Sequence, residues 1–322
     1  MSHYITIPID PNGVIDPDEE VQEIITQAMS AAFGTTDVFI YSHGWWTTAD
    51  AALKSYNVAT TGFIYFTRNK GYPKIEPPMF PFLIGIHWPS MADDDPTGVA
   101  NLTEPLTFYT MEKRADDVGQ EGLYAILRLI FAAVNPASKL RISLLGHSFG
   151  CKVVCAALEQ LAVNQIEVPP GIQFNVVLLE AAFPTDSLDN GGSYEHVLST
   201  FGPRLRMLVS HSDADTALEK AFPLAHEINL FHKGARTALG ATGPSDALKA
   251  AFPQKQEVAV AWESTFLGSV AAPAAGHLLV TADLTAFHTS PKNPYNADSW
   301  GGHHSDIYER QIYDLMGWFL FG

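Results

Sequence analysis

The chain has few basic residues and almost no cysteine. It has 19 Lys and Arg side chains against 35 Asp and Glu, which gives a formal net charge of −16 at pH 7. Such a chain repels the phosphates of nucleic acids and of anionic lipids, so we expect no nucleic-acid partner. The two cysteines, Cys151 and Cys155, are four residues apart, a spacing that rarely gives a good disulfide on a helix. This cysteine usage is typical of a reduced compartment.

Long hydrophobic runs are also missing. The longest nearly apolar stretch, residues 123–134, is interrupted by Arg128 and is too short to span a bilayer. The first ten residues have neither the basic start nor the apolar stretch of a signal peptide. We therefore expect a cytoplasmic protein without a transmembrane segment. With 47% hydrophobic and 17% charged residues, the 322-residue chain can bury a full core.

Short apolar runs alternate along the chain with longer stretches of helical periodicity. The pattern predicts strands at residues 4–9, 37–42, 82–87, 140–145, 174–179, 205–209 and 278–281, and helices at 19–33, 116–134, 152–163 and 305–321. Strands this apolar indicate an α/β fold with a mostly parallel sheet and helices on both faces. Residues 90–111 and 231–275 fit poorly. We therefore expect a single domain over 1–322 with loop insertions there, as lids over a site or as surface elaboration.

The sharpest motif is Gly146-His147-Ser148-Phe149-Gly150, a Gly-x-Ser-x-Gly pattern between a predicted strand and a predicted helix. A serine on such a sharp turn has strained backbone angles, and the flanking glycines leave the room that the turn needs. The turn holds the hydroxyl clear of the sheet, and the helix N-terminus favours negative charge that develops beside it. Ser148 is therefore a candidate nucleophile. The alternative is a glycine-rich turn whose serine has no function.

With its strand and helix, this motif resembles the nucleophile turn of the α/β-hydrolase family, and specifically of its serine esterases and lipases. The resemblance extends from about Thr35 to Gly322 and implies the α/β-hydrolase fold. His43-Gly44-Trp45-Trp46, after an early strand, resembles the family's His-Gly oxyanion loop. By that resemblance, the backbone N–H groups of Trp45 and Phe149 stabilise the oxyanion, and His43 shapes the loop.

The family places its histidine after its acid in the chain. His303 and His304 precede the closing helix, and His304-Ser305-Asp306 resembles the family's common ending. The resemblance implies His304 as the general base, with His303 as its rival. We expect Asp306 and Glu309 to cap the final helix and His303 to be solvated or bonded to backbone. Adjacent histidines make a poor chelate, so no metal is expected.

The acid is expected after the strand predicted at residues 205–209. Asp215 takes the role if that strand continues to about Ser212, and Asp213 takes it if the strand ends at Ser210. We favour Asp215, because Asp215-Thr216-Ala217-Leu218 resembles related hydrolases at this place. Asp186, after the preceding strand, is an outside candidate. The acid would hold the imidazole in one tautomer and stabilise the imidazolium.

Other patterns bear on ligands. Aromatic and apolar residues near the motifs predict a pocket for an acyl group, although at least half of them are expected in the core: Trp45, Trp46, Phe80, Phe82, Trp88, Met91 and Phe149. The run Asp93-Asp94-Asp95 lacks the alternating ligands of a calcium loop. No glycine-rich loop suits a nucleotide phosphate, so we expect no cofactor.

Together these residues resemble the machinery of a serine hydrolase that cleaves carboxylic esters through an acyl-enzyme. The resemblance implies Ser148 as nucleophile, His304 as base and Asp215 as acid, with a small-molecule ester as substrate. Amide or thioester cleavage by the same machinery is one alternative. A non-catalytic binding protein of the same fold is another, and the intact set of candidates argues against it.

Overall fold

A computed structural model of the chain describes residues 3–15, 18–30, 33–45, 47–57, 59, 80–91, 105–223, 236–266, 270–274, 276–294 and 303–322. Its strands are β1 His3–Pro8, β2 Asp37–Ser42, β3 Pro81–His87, β4 Leu140–His147, β5 Ile172–Leu179, β6 Leu205–His211, β7 Gln254–Ala259 and β8 Leu278–Asp283. Its α-helices are α1 Asp18–Met29, α2 Pro105–Asp117, α3 Tyr124–Ala133, α4 Gly150–Val163, α5 His196–Phe201, α6 Leu239–Thr242, α7 Asp246–Ala251, α8 Thr285–His288 and α9 Arg310–Phe321. Residues 49–57 are helical as well.

The eight strands form one sheet in the order β1-β3-β2-β4-β5-β6-β8-β7, and every neighbouring pair is parallel. Strands β2 to β6 are almost entirely buried, because helices cover both faces. Helices α1, α3 and α4 pack in one apolar cluster, and α9 packs in the other. This is the predicted α/β architecture, with a parallel sheet between two layers of helices.

All seven predicted strands are present, and an eighth was missed. Strand β7 lies within residues 231–275, the stretch that was predicted as a loop insertion, so for residues 254–259 that prediction is wrong. The strand pairs with β8 at the edge of the sheet, and most of its side chains are exposed. An edge strand with a polar composition gives no apolar pattern for a sequence to reveal. Residues 231–235, 267–269 and 275 of that stretch lie outside the described residues.

The helix predicted at residues 116–134 is interrupted. Helix α2 continues into a π-helical segment, Val118–Leu123, which passes directly into α3. A Cβ at Gly119 would lie 2.5 Å from the carbonyl oxygen of Val153 in α4, so glycine allows the two helices to touch. Of the insertion predicted at 90–111, residues 105–111 belong to α2, and 92–104 lie outside the described residues. No described helix is long and apolar enough to cross a membrane.

Candidate active site

The candidate residues lie at the carboxyl ends of neighbouring strands. Strand β2 leads into Gly44, β4 into Ser148, β5 into Glu180 and β6 into the turn that carries Asp215. In a parallel sheet these ends meet along one edge, and that edge is where α/β proteins bind ligands. The order of the strands therefore brings together four segments that are far apart in the sequence.

Ser148 occupies a sharp turn between β4 and α4. Its φ is +55°, in the left-handed region that a side chain rarely adopts. Its backbone N–H donates to the carbonyl of Leu179 at 3.0 Å, and its carbonyl accepts from Cys151 N at 3.0 Å. A Cβ at Gly150 would lie 2.1 Å from the carbonyl oxygen of Ser42, so the turn packs tightly against the end of β2. These contacts maintain the strained conformation.

His304 and Asp215 form a direct hydrogen bond. The Nδ1 of His304 lies 2.6 Å from Oδ2 of Asp215, whose side chain is completely buried. The other carboxylate oxygen, Oδ1, accepts from the backbone N–H groups of Ala217 and Leu218, each at 3.1 Å. Strand β6 ends at His211, between the two ends that the sequence left open. Asp213 is exposed, and Asp186, the outside candidate, is exposed too.

The loop that carries His304 is attached to the residue before Ser148. The Nε2 of His147 donates to the carbonyl oxygen of His304 at 2.7 Å, and the two rings lie 4.9 Å apart. Burial lowers the pKa of His147 to about 3, so its ring is neutral. The structure therefore brings His304 to the serine turn, although the two are more than 150 positions apart in the chain.

His303 is placed differently from the prediction. It is buried, and its Nδ1 lies 2.5 Å from Oδ2 of Asp306, so it is neither solvated nor bonded to backbone. The predicted capping of the final helix is also wrong. Helix α9 begins at Arg310, and Glu309 makes no side-chain capping bond. Asp306 instead accepts hydrogen bonds from His303 and from Nδ2 of Asn293 at 2.7 Å, because burial leaves a carboxylate in need of donors.

The loop after β2 approaches the serine closely. A Cβ at Gly44 would lie 2.8 Å from Cβ of Ser148, so only glycine leaves room there. Phe149 is the residue before α4, where the backbone N–H groups have no carbonyl partner inside the helix. The rings of Trp45 and Phe149 lie 5.8 Å apart, which brings the two predicted oxyanion residues to the same place. Trp46 lies outside the described residues.

His43 holds this loop in place through its own hydrogen bonds. Its Nδ1 donates to the carbonyl of Gly44 at 2.8 Å, its Nε2 accepts from Trp88 N at 3.4 Å, and its ring stacks on the indole of Trp88. Burial lowers the pKa of His43 to about 3. Trp88 is fully buried and donates Nε1–H to the His43 carbonyl at 3.2 Å, so it supports the loop and does not line a pocket.

We expect His43 to make the protein less stable in acid. Its pKa is about 3 in the fold and 6.5 in the unfolded chain, so between these values the unfolded chain holds a proton that the native state lacks. Stability therefore falls as pH drops below 6.5, by up to about 1.4 kcal/mol per pH unit from this residue. The free energy of unfolding, measured with urea at several pH values between 4 and 6.5, should depend less steeply on pH in His43→Asn than in the wild type. The exposed His196→Asn is the matched control, and equal slopes in wild type and His43→Asn would contradict the burial of a neutral ring.

A cluster of four aromatic rings lies beside the serine turn. The ring of Phe108, from α2, lies 5.2 Å from Phe149, 6.0 Å from Trp45 and 5.7 Å from Phe222. Phe108 and Phe222 carry no local signal in the sequence, because only the tertiary fold brings them to the motif. Of the predicted pocket residues, Phe82 is buried in the core and Phe80 is 53% exposed, while Met91 is half-buried. The acidic run at residues 93–95 lies outside the described residues.

Glu180 is a further candidate, which no sequence motif singles out. It directly follows β5, has a φ of +47° and is completely buried. Its Oε1 lies 3.4 Å from Nε2 of His288, and neither carboxylate oxygen has a hydrogen-bond partner within the described part of the chain. Burial raises its pKa well above the usual range, and the charges of Asp215 and Asp306 raise it further. A charged residue directly after a central apolar strand was the signal that could have found it.

Two comparisons with known proteins bear on this site. A family model described as "Alpha/beta hydrolase of unknown function (DUF900)" matches residues 18–233, about two thirds of the chain. The matched part contains Ser148, Glu180 and Asp215, whereas His304 lies beyond it. A comparison with curated proteins found no match.

Proposed function

The chain belongs to this family of α/β hydrolases whose function is unknown, and from that premise we propose that it is a serine hydrolase of carboxylic esters. The observation that carries the proposal is the hydrogen bond of 2.6 Å between His304 and the buried Asp215. It occurs on a loop bonded to the residue that precedes the strained Ser148. A nucleophile, a base beside it and an acid that orients the base are the elements of acyl transfer.

In the proposed reaction, the hydroxyl oxygen of Ser148 attacks the ester carbonyl carbon, and its proton passes to Nε2 of His304. Asp215 holds the other ring nitrogen as the N–H form, which leaves Nε2 free to accept that proton. The tetrahedral intermediate then expels the alcohol, which takes the proton from His304. Water attacks the acyl-enzyme by the same route in reverse, and this step releases the carboxylic acid and regenerates Ser148.

The oxyanion of each tetrahedral intermediate would be bound by the backbone N–H groups of Trp45 and Phe149. Support comes from the close approach of Gly44 to Ser148 and from the position of Phe149 at the start of α4. Backbone donors at a helix N-terminus favour developing negative charge and need no reorganisation during the reaction.

The acyl group would pack against the half-buried rings of Trp45 and Phe108, which present apolar surface next to the serine turn. The buried rings of Phe149 and Phe222 support these two rings from the core side. Such a surface favours an apolar acyl chain, since burying each methylene contributes about 0.8 kcal/mol to binding. We therefore propose esters of apolar acids as the substrate class.

Covalent labelling and a panel of substrates test the proposal together. We expect a fluorophosphonate probe to label Ser148, located by peptide mass spectrometry, and p-nitrophenyl esters to be hydrolysed with a kcat/KM that rises with acyl chain length. Matched amides and thioesters in the same panel reveal whether another acyl compound is preferred. A folded protein that neither reacts with the probe nor hydrolyses any member of the panel would instead be a non-catalytic binding protein.

A further inference from the structure

Three side chains with metal-binding atoms converge beside Ser148, and the proposed reaction uses only one of them. One nitrogen of His147, one nitrogen of His304 and one carboxylate oxygen of Glu180 all lie within 4.8 Å of one another. Two imidazoles and a carboxylate form a ligand set that Zn²⁺ binds in proteins. We propose that this group is a binding site for a divalent cation of the zinc type, and that occupation of the site inhibits the hydrolase.

The hydrogen bonds of the two histidines leave one ring nitrogen of each with a lone pair for a cation. His147 uses Nε2–H to donate to the carbonyl of His304, so its Nδ1 carries the lone pair. His304 uses Nδ1–H to donate to the carboxylate of Asp215, so its Nε2 carries the lone pair. Metal-binding histidines almost always donate their other N–H to a carboxylate or a backbone carbonyl, which fixes the tautomer and the orientation of the ring.

Glu180 supplies a second, independent observation. It is 0% exposed, and among the described residues neither of its oxygens has a hydrogen-bond partner. Nε2 of His288 lies 3.4 Å from Oε1 without forming a hydrogen bond, so neither oxygen is satisfied within the described residues. A fully buried carboxyl group without hydrogen-bond partners is costly, and a bound cation would supply the partner that its oxygens lack.

The remaining groups around Glu180 favour a cation. Asp215 bonds to the ring of His304, and Asp306 bonds to the adjacent His303, so two further carboxylates lie beside the three ligands. The His147 Nδ1 lies on the side of Ser148, because both that atom and the Ser148 Cβ are within 3.3 Å of the position that a Cβ on Gly44 would take. The site is therefore next to the nucleophile.

The geometry requires only a small closure. Ligand atoms about 2.1 Å from a tetrahedral zinc are roughly 3.4 Å apart, so the widest separation shortens by no more than about 1.5 Å. His304 is the partly exposed member of the group and would therefore be the ligand that shifts. Three protein ligands leave one coordination position open for water.

The consequence for activity rests on the proposed function. A cation on Nε2 of His304 occupies the lone pair that must accept the proton of Ser148. Bound zinc therefore blocks the base without any change in the fold, and a chelator that removes the zinc restores hydrolysis. Zinc binding itself does not depend on hydrolysis, so the two can be measured apart.

Binding is measured with ZnCl₂ by titration calorimetry and with CoCl₂ by visible absorption, both on the full chain that carries Ser148→Ala. We expect one ion per chain with micromolar affinity or tighter. Adding Glu180→Gln, which keeps the size of the side chain, should weaken binding by at least about tenfold. Asp186→Asn, an exposed carboxylate six residues away, is the matched control and should bind as tightly as the parent protein. If Glu180→Gln does not fold, His147→Gln gives the same comparison.

Inhibition is measured on the protein with Ser148 intact. We expect zinc to inhibit ester hydrolysis and EDTA to reverse the inhibition. Glu180→Gln should need at least about tenfold more zinc for the same inhibition. Equal zinc affinity in the Glu180→Gln and Asp186→Asn proteins overturns the site, and so does the lack of any binding. Hydrolysis that zinc leaves unaffected overturns the inhibition while the hydrolase proposal stands. Zinc binding in a protein that hydrolyses nothing overturns the proposed function and leaves the site.

Discussion

Ser148→Ala is expected to abolish labelling by the fluorophosphonate and to lower ester turnover by about four to six orders of magnitude. The hydroxyl oxygen is the atom that forms the acyl-enzyme, and no other group at this turn can replace it. Removal of a nucleophilic serine leaves only the contribution of the oxyanion donors and of substrate binding. Turnover is measured on the best ester of the panel, with the fold checked by circular dichroism and thermal melting.

Alanine is the appropriate replacement because it changes only the hydroxyl group. Ser148 adopts a φ of +55°, and alanine retains the Cβ and therefore the strain of the native turn. Glycine would relieve that strain and could shift the turn. The matched control is Ser199→Ala, an exposed serine on α5, which should react and hydrolyse as the wild type does. Turnover close to that of the wild type in a folded Ser148→Ala protein would remove the proposed mechanism.

The serine turn was predictable because its determinants are local. The strand before it is a continuous apolar run, and the helix after it begins at Gly150. Close contacts at the turn leave no room for a side chain at its glycines. The alternation of apolar runs with helical periods was sufficient for the parallel sheet as well. These signals lie within a few residues of one another, so they can be recognised in a single sequence without tertiary information.

The partners of the serine were harder to predict, because they depend on where strands and loops end. Asp213 and Asp215 are two residues apart, and the choice depends on the end of β6, which pairs with β8 as far as His211. The sequence resemblance favoured Asp215, and that is the residue which contacts His304. Which aspartate acts in catalysis stays a prediction.

The buried polar groups around the site were not predictable from local patterns. His303 binds Asp306, and Glu180 faces His288, a residue more than 100 positions away. Each of these contacts depends on tertiary packing, which leaves no periodic signal in the sequence. The edge strand β7 escaped prediction for the opposite reason, since its exposed positions lack an apolar pattern.

The two aspartates provide the second large effect. We expect Asp215→Asn to lower kcat by about 10⁴, and Asp213→Asn to leave it within about twofold of the wild type. Asp215 accepts N–H donation from His304 through Oδ2, whereas an asparagine can present an NH₂ group there. Two donors cannot share a hydrogen bond, so the imidazole takes the other tautomer and its Nε2 can no longer accept the proton of Ser148.

The comparison isolates this effect from a loss of structure. Oδ1 of Asp215 accepts from the backbone of Ala217 and Leu218, and the carbonyl oxygen of an asparagine can keep both bonds. Asp213 is exposed, and its backbone N–H, which donates to Thr285, is unchanged by the substitution. Steady-state kinetics on both variants, with melting temperatures, therefore compare two carboxylates that differ in their contact with His304. A greater loss of kcat in Asp213→Asn than in Asp215→Asn would give the role of the acid to Asp213 and require that turn to rearrange when substrate binds.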